Sequence, residues 1–124
     1  MSKALFWASD LKALADFYVL LLDASEKARG ADFIELLSED NSVIVHQIPL
    51  EYLPEYSTEK HGQIRSDAAI KPIFTVASIS LSLSRIDPEF RKPSGESFSY
   101  SNYLCQDLID PEGNVIQIQE NLSA

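Results

Sequence analysis

A single cysteine, Cys105, stands in the 124 residues, so no disulfide can close within the chain and a reducing compartment, the cytoplasm, is expected. Cations are scarce too. Lys and Arg total 10 against 19 Asp and Glu, a formal charge of −9 that repels a phosphate backbone and removes nucleic acid from the expected partners. The same imbalance favours a cationic ligand. The apolar runs at 4–8 and 18–22 fall far below the roughly 20 residues that span a bilayer, so no membrane partner is expected. After Lys3 the first run gives way to Ser9, Asp10 and Lys12, which is not the pattern of a signal peptide. The four glycines, Gly30, Gly62, Gly95 and Gly113, are scattered and build no phosphate loop, dinucleotide fingerprint or nucleophile elbow. The only histidines, His46 and His61, lack a zinc-binding spacing.

What is present suits one compact domain. Hydrophobic residues at 45% and charged residues at 23% are ordinary for a soluble globular chain of this length. Lys3 to Ser9 reads as a strand, and Asp10 as the N-cap of a helix. Leu11, Leu14, Ala15, Tyr18, Leu21 and Leu22 then recur at spacings of three and four, giving a helix with one buried face that ends near Asp23. A polar stretch to Gly30 leads to a hairpin made of Phe33 to Leu37 and Ser42 to Ile48. Residues 49–70 read as a long connection, with one helical turn, that borders the functional cleft. Beyond it come a strand at Lys71 to Val76, a short element at Ser78 to Ile86, a strand at Ser99 to Ile109 and a last strand at Val115 to Gln119. Asp110-Pro111-Glu112-Gly113 forms a tight turn before the last strand.

The halves resemble each other. Lys3, Leu5 and Phe6 match Lys71, Ile73 and Phe74 at a shift of 68, and Asn41 to Val45 match Gly113 to Gln117 at a shift of 72. The unit is β-α-β-β-β. Ile79, Leu81 and Leu83 alternate with serines as in a strand, but the repeat requires a helix there, and the repeat is followed.

Ala8-Ser9-Asp10-Leu11 leading into Ala15-Asp16-Phe17-Tyr18 and Leu21-Leu22, together with Asp110 to Ile116, resemble the vicinal oxygen chelate superfamily. This superfamily includes glyoxalase I, bleomycin-resistance proteins and extradiol dioxygenases. The resemblance implies an α+β fold in which two βαβββ modules form a cup-shaped mixed sheet with helices on its convex face. The whole of 1–124 is then a single glyoxalase-like domain, with module one at about 1–49, the connection at 50–70 and module two at about 71–124. It also implies a homodimer. Metal-using members hold one divalent ion on four strand side chains, and counting from the matched motifs places these positions at Lys3, Val45, Lys71 and Gln117. Ammonium groups repel a cation, Val45 has no donor and Gln117 is a weak ligand. No metal or other cofactor is therefore expected, one divalent metal ion being the alternative. His46 is expected to face away from the cup beside Ile44 and Ile48.

Strand alternation assigns the lining of the cup to Lys3, Leu5 and Trp7, to Lys71 and Thr75, and to Gln117 and Gln119. Glu35 and Asp107 join them if Leu36 and Leu108 point away, and two Lys-carboxylate pairs then stand where metal ligands would. Trp7 is either an aromatic wall of the site or a core filler. Cys105 reads as a buried small hydrophobe, and no catalytic residue is assigned. The expected function is metal-independent binding of a small organic molecule, aromatic or cationic, in the manner of the bleomycin-resistance branch. The alternative is a glyoxalase- or dioxygenase-like enzyme, a lyase or oxidoreductase with a non-standard site, using a metal or acid–base work by Glu35, Asp107 or His46.

Overall fold

The computed structural model describes residues 2–54, 64–90 and 95–123; His61 lies outside them. The first strand, β1 (Lys3–Ala8), turns Phe6 and Ala8 inward and leaves Leu5 and Trp7 about half exposed. Helix α1 (Leu11–Leu22) starts where Asp10 accepts the Ala13 N–H at 3.1 Å, and it ends at Asp23, whose φ of 51° is left-handed. Its apolar face, with Leu14, Ala15, Phe17, Tyr18, Leu21 and Leu22, is buried. Strands β2 (Ser25–Arg29), β3 (Phe33–Leu37) and β4 (Ser42–Gln47) complete the first sheet in the order β1-β4-β3-β2, with β1 parallel to β4.

The second module repeats this plan. Strand β5 (Ile73–Thr75), helix α2 (Ile79–Arg85), a 3-10 turn (Pro88–Phe90), β6 (Phe98–Tyr100), β7 (Tyr103–Ile109) and β8 (Val115–Asn121) follow in sequence. The sheet order is β5-β8-β7-β6, with β5 parallel to β8. The structure is thus the expected α+β fold of two βαβββ modules, and α2 is the helix the repeat required. Among the described residues no helix is long and apolar enough to cross a membrane.

Three local readings change. Residues 25–29 are a strand despite their polarity, because β2 is an edge strand with four of its five residues exposed and pairs only with β3. The single strand read at Ser99 to Ile109 is two, since Ser101 takes φ 52° and reverses the chain between β6 and β7. The strand read at Lys71 to Val76 is only Ile73–Thr75.

One core serves both modules. The Phe6 ring stacks on Tyr18 at 4.9 Å, and Phe74 meets Tyr18 at 5.7 Å, so the first strand of each module converges on α1. Each module also reaches across to the other through the turn before its last strand. Asn41 forms a reciprocal pair with the Thr75 backbone, donating from Nδ2 at 2.7 Å and accepting at Oδ1 at 3.1 Å. Glu112, only 2% exposed, accepts the Ser9 N–H at 3.0 Å, the Asp10 N–H at 3.3 Å and the Ser9 hydroxyl. The repeat seen in the sequence is therefore also a mutual clasp.

Candidate functional site

The pairing register decides which side chains face the open side of each sheet. In β1 and β4, Leu5 sits beside Ile44, Phe6 beside Val45, and Trp7 beside His46. Phe6 and Val45 are in the core, so Ile44 and His46 share the open face with Leu5 and Trp7. This corrects two expectations. Val45 is not a cup position, and His46 does not face away: its ring centroid lies 5.0 Å from that of Trp7. The cause is a one-residue error in the repeat. Leu5 pairs with Ile44 and Ile73 with Gln117, so the last strands correspond at a shift of 73 rather than 72, and one residue exchanges the faces of a strand.

The third strands do correspond at 72. Glu35 lies beside Ile44 and Asp107 beside Gln117, while Leu36 and Leu108 are buried on the core side. Lys3 Nζ is 2.9 Å from Glu35 Oε2, and Lys71 Nζ is 3.1 Å from Asp107 Oδ1. The ammonium of Lys3 holds the Glu35 carboxyl below its usual range, with Lys27 adding to the effect and burial opposing it. Glu35 is thereby kept ionised and is a poor general acid. Lys71 also lies 5.9 Å from the Phe98 ring centroid. Gln119 donates to the Thr75 hydroxyl at 3.2 Å, and Gln117 is buried between these groups.

The four open-face positions of the two modules do not fit a divalent cation. Lys3 and Lys71 are cationic and already paired, Ile44 has no donor, and Gln117 offers only a neutral amide. Among the described residues no three His, Cys, Asp or Glu converge as a metal-binding group. Cys105 is fully buried and free.

A cleft of about 560 Å³ opens at the end of β1, walled by Leu5, Phe6, Trp7, Ile48, Pro49 and Tyr52, with Arg65 and Asn114 as its polar members. Of the residues assigned from sequence, Leu5 and Trp7 line it. Trp7 is 54% exposed, so it is a wall and not a core filler. Lys3 borders a second cleft of about 520 Å³, between the first strands of the modules, together with Ser42 and Ile73. Glu35, Lys71, Thr75, Asp107, Gln117 and Gln119 line neither cleft.

Ile48, Pro49, Tyr52, Arg65 and Asn114 were not singled out in the sequence. Tyr52 and Arg65 belong to the connection expected to border the cleft, but nothing in their spacing marks them. Arg65 is tied to the second module's turn, its N–H donating to the Gly113 carbonyl at 2.8 Å and its Nε to the Glu112 carbonyl at 3.3 Å. That tie brings Arg65 to the cleft at the end of β1.

Known structures share this architecture. The bleomycin resistance determinant encoded on transposon Tn5 superposes with a TM-score of 0.65 at 13% identity, covering 98% of this chain and 97% of that one. A bleomycin-binding protein complexed with bleomycin gives 0.61 at 14% identity, covering 98% of each chain. A glyoxalase/bleomycin resistance protein/dioxygenase family enzyme from Burkholderia phytofirmans PsJN gives 0.62 at 18% identity, again covering 98% of each. No protein-family model and no curated protein sequence matches the chain. The chain therefore has the fold of these glyoxalase/bleomycin-resistance proteins. Folds of this kind host unrelated chemistries, and function resides in the site.

Proposed function

We propose that this protein binds a small organic molecule without a metal, with the cleft beside Trp7 as its site. The observation that carries the reading is a concave, largely apolar cleft of about 560 Å³ that has an exposed indole on its wall and Arg65 and Asn114 in its lining. Small-molecule sites have this composition. The paired charges at the family's metal positions support the absence of a metal, and the bleomycin-bound structure of the same fold supports a sizeable organic ligand. An aromatic ligand suits the Trp7 and Tyr52 walls, and the charge of −9 attracts a cationic one. A reducing, cytoplasmic setting suits the free Cys105.

The test is a titration of the purified protein with aromatic and cationic compounds, followed through the fluorescence of Trp7, the only tryptophan. Saturable change in emission with no stoichiometric metal in the protein is expected. A tightly held divalent ion at one per chain would overturn the metal-free reading and favour the enzymatic one.

The open faces also point to self-association. Leu5, Trp7, Ile73 and Phe98 are exposed on them, and grouped exposed apolar residues mark association surfaces. We propose a homodimer, for which light scattering at micromolar concentration should give about twice the 13.9 kDa chain mass. A mass of one chain would overturn it.

A further inference from the structure

From the cleft reading above, on which this step rests, we infer that the ligand donates an N–H group to Asn114 Oδ1, which places it among planar aromatic lactams, amides or amidines. The orientation of the Asn114 amide follows from its neighbour. Its backbone N–H and its Nδ2 both donate to Asp110, at 2.9 and 2.8 Å. An ionised carboxylate only accepts, so Nδ2 must face Asp110 and Oδ1 must point the other way. Asp110 is itself locked by the Tyr18 hydroxyl at 2.7 Å and by the Glu112 N–H at 2.9 Å. The amide therefore cannot flip without setting acceptor against acceptor.

Asn114 lines the cleft and is half-buried. Among the described residues no donor is bonded to its Oδ1; Leu5, Phe6, Ile48 and Pro49 have no side-chain donor to offer, and of the donor-bearing residues on the walls, Trp7, Tyr52 and Arg65, the last gives its Nε to the Glu112 carbonyl at 3.3 Å. A carbonyl oxygen on a cleft wall with no protein partner is met by water in the free protein. A ligand that fills the space displaces that solvent and must either replace its hydrogen bond or leave the carbonyl unmet, and sites with a fixed polar group discriminate on this basis. The flat aromatic body follows from Trp7 and Tyr52, both on the cleft walls, whose rings favour stacked or edge contacts.

Quinolin-2-one and coumarin test this directly, because they share shape and carbonyl and differ in having N–H or a ring oxygen beside it. Calorimetric titration of each into the wild-type protein and into Trp7→Ala should show quinolin-2-one binding about tenfold or more tightly, with both weakened by the substitution. Equal affinities that are both weakened by Trp7→Ala would overturn the N–H requirement and leave the cleft as the binding site. Binding of neither compound, or binding indifferent to Trp7→Ala, would overturn the cleft reading and this inference with it.

Discussion

Replacing Asp110 with alanine is expected to lower stability by about 3–5 kcal/mol, because one buried carboxylate organises four donors. Asp110 is 2% exposed and accepts the Tyr18 hydroxyl and Asn114 Nδ2 on one oxygen and the N–H groups of Glu112 and Asn114 on the other. Alanine strands these donors at about 1–3 kcal/mol each, offset in part by removing a desolvated charge. The loss spreads, since the same turn carries Glu112 to the start of α1 and Tyr18 stacks on Phe6. For a domain of this size the change corresponds to roughly 10–20 °C in melting temperature.

Asp110→Asn separates charge from geometry. Burial raises the Asp110 carboxyl above its ordinary value of 3.8, against the lowering effect of its four hydrogen bonds. A folded value above the unfolded one means that the folded state holds the proton more tightly. The corresponding stability is present in full below the unfolded value and is lost as pH rises through the folded one. The penalty of Asp110→Asn should therefore be largest in acid and shrink as pH rises from about 3.8. Denaturant melts across that range check the sign, and a penalty that grows with pH would show that the carboxylate is favoured in the fold.

The fold was legible because its signals are local and doubled. The Asp10 cap, the 3.6-residue period of α1 and the Asp110 to Gly113 turn each act over a few residues, and repeating the unit let the weak serine-rich segment at 79–85 be read as a helix. The candidate site was only half legible. Parity along a single strand placed Leu5 and Trp7 correctly on the open side of β1, but β4 depended on a register between strands far apart in sequence. There the match of Asn41 to Val45 with Gly113 to Gln117 was one residue out. His46 was consequently assigned to the wrong face. Arg65 and Asn114 were missed for a different reason: Asn114 is fixed locally on the Asp110 turn and meets the cleft only through the packing of the modules, and Arg65 is placed by long-range bonds to the carbonyls of Glu112 and Gly113. Backbone carbonyls carry no sequence signature.

The exposed setting of Trp7 makes its substitution informative, because binding and stability should part. With 54% of its surface exposed, removal of the indole leaves no closed cavity, so the usual cost of about 3–5 kcal/mol for a buried large-to-small change does not apply. Trp7→Ala should change stability by less than about 1 kcal/mol, mostly through lost contact with His46, whose ring is 5.0 Å away. In binding, the indole supplies an aromatic wall of the cleft beside Leu5 and Tyr52. An aromatic ligand held there should lose about 1–3 kcal/mol of affinity, a factor of roughly ten to a hundred. Calorimetry measures that loss after the fluorescence signal has gone, and denaturant melts of the same sample measure stability. A melt displaced by several kcal/mol would mean that Trp7 closes against another surface in solution, the partner chain of a dimer being the one with matching apolar area. An intact affinity would move the ligand away from β1 to the second cleft, where Lys3 and Ile73 would become the residues to change.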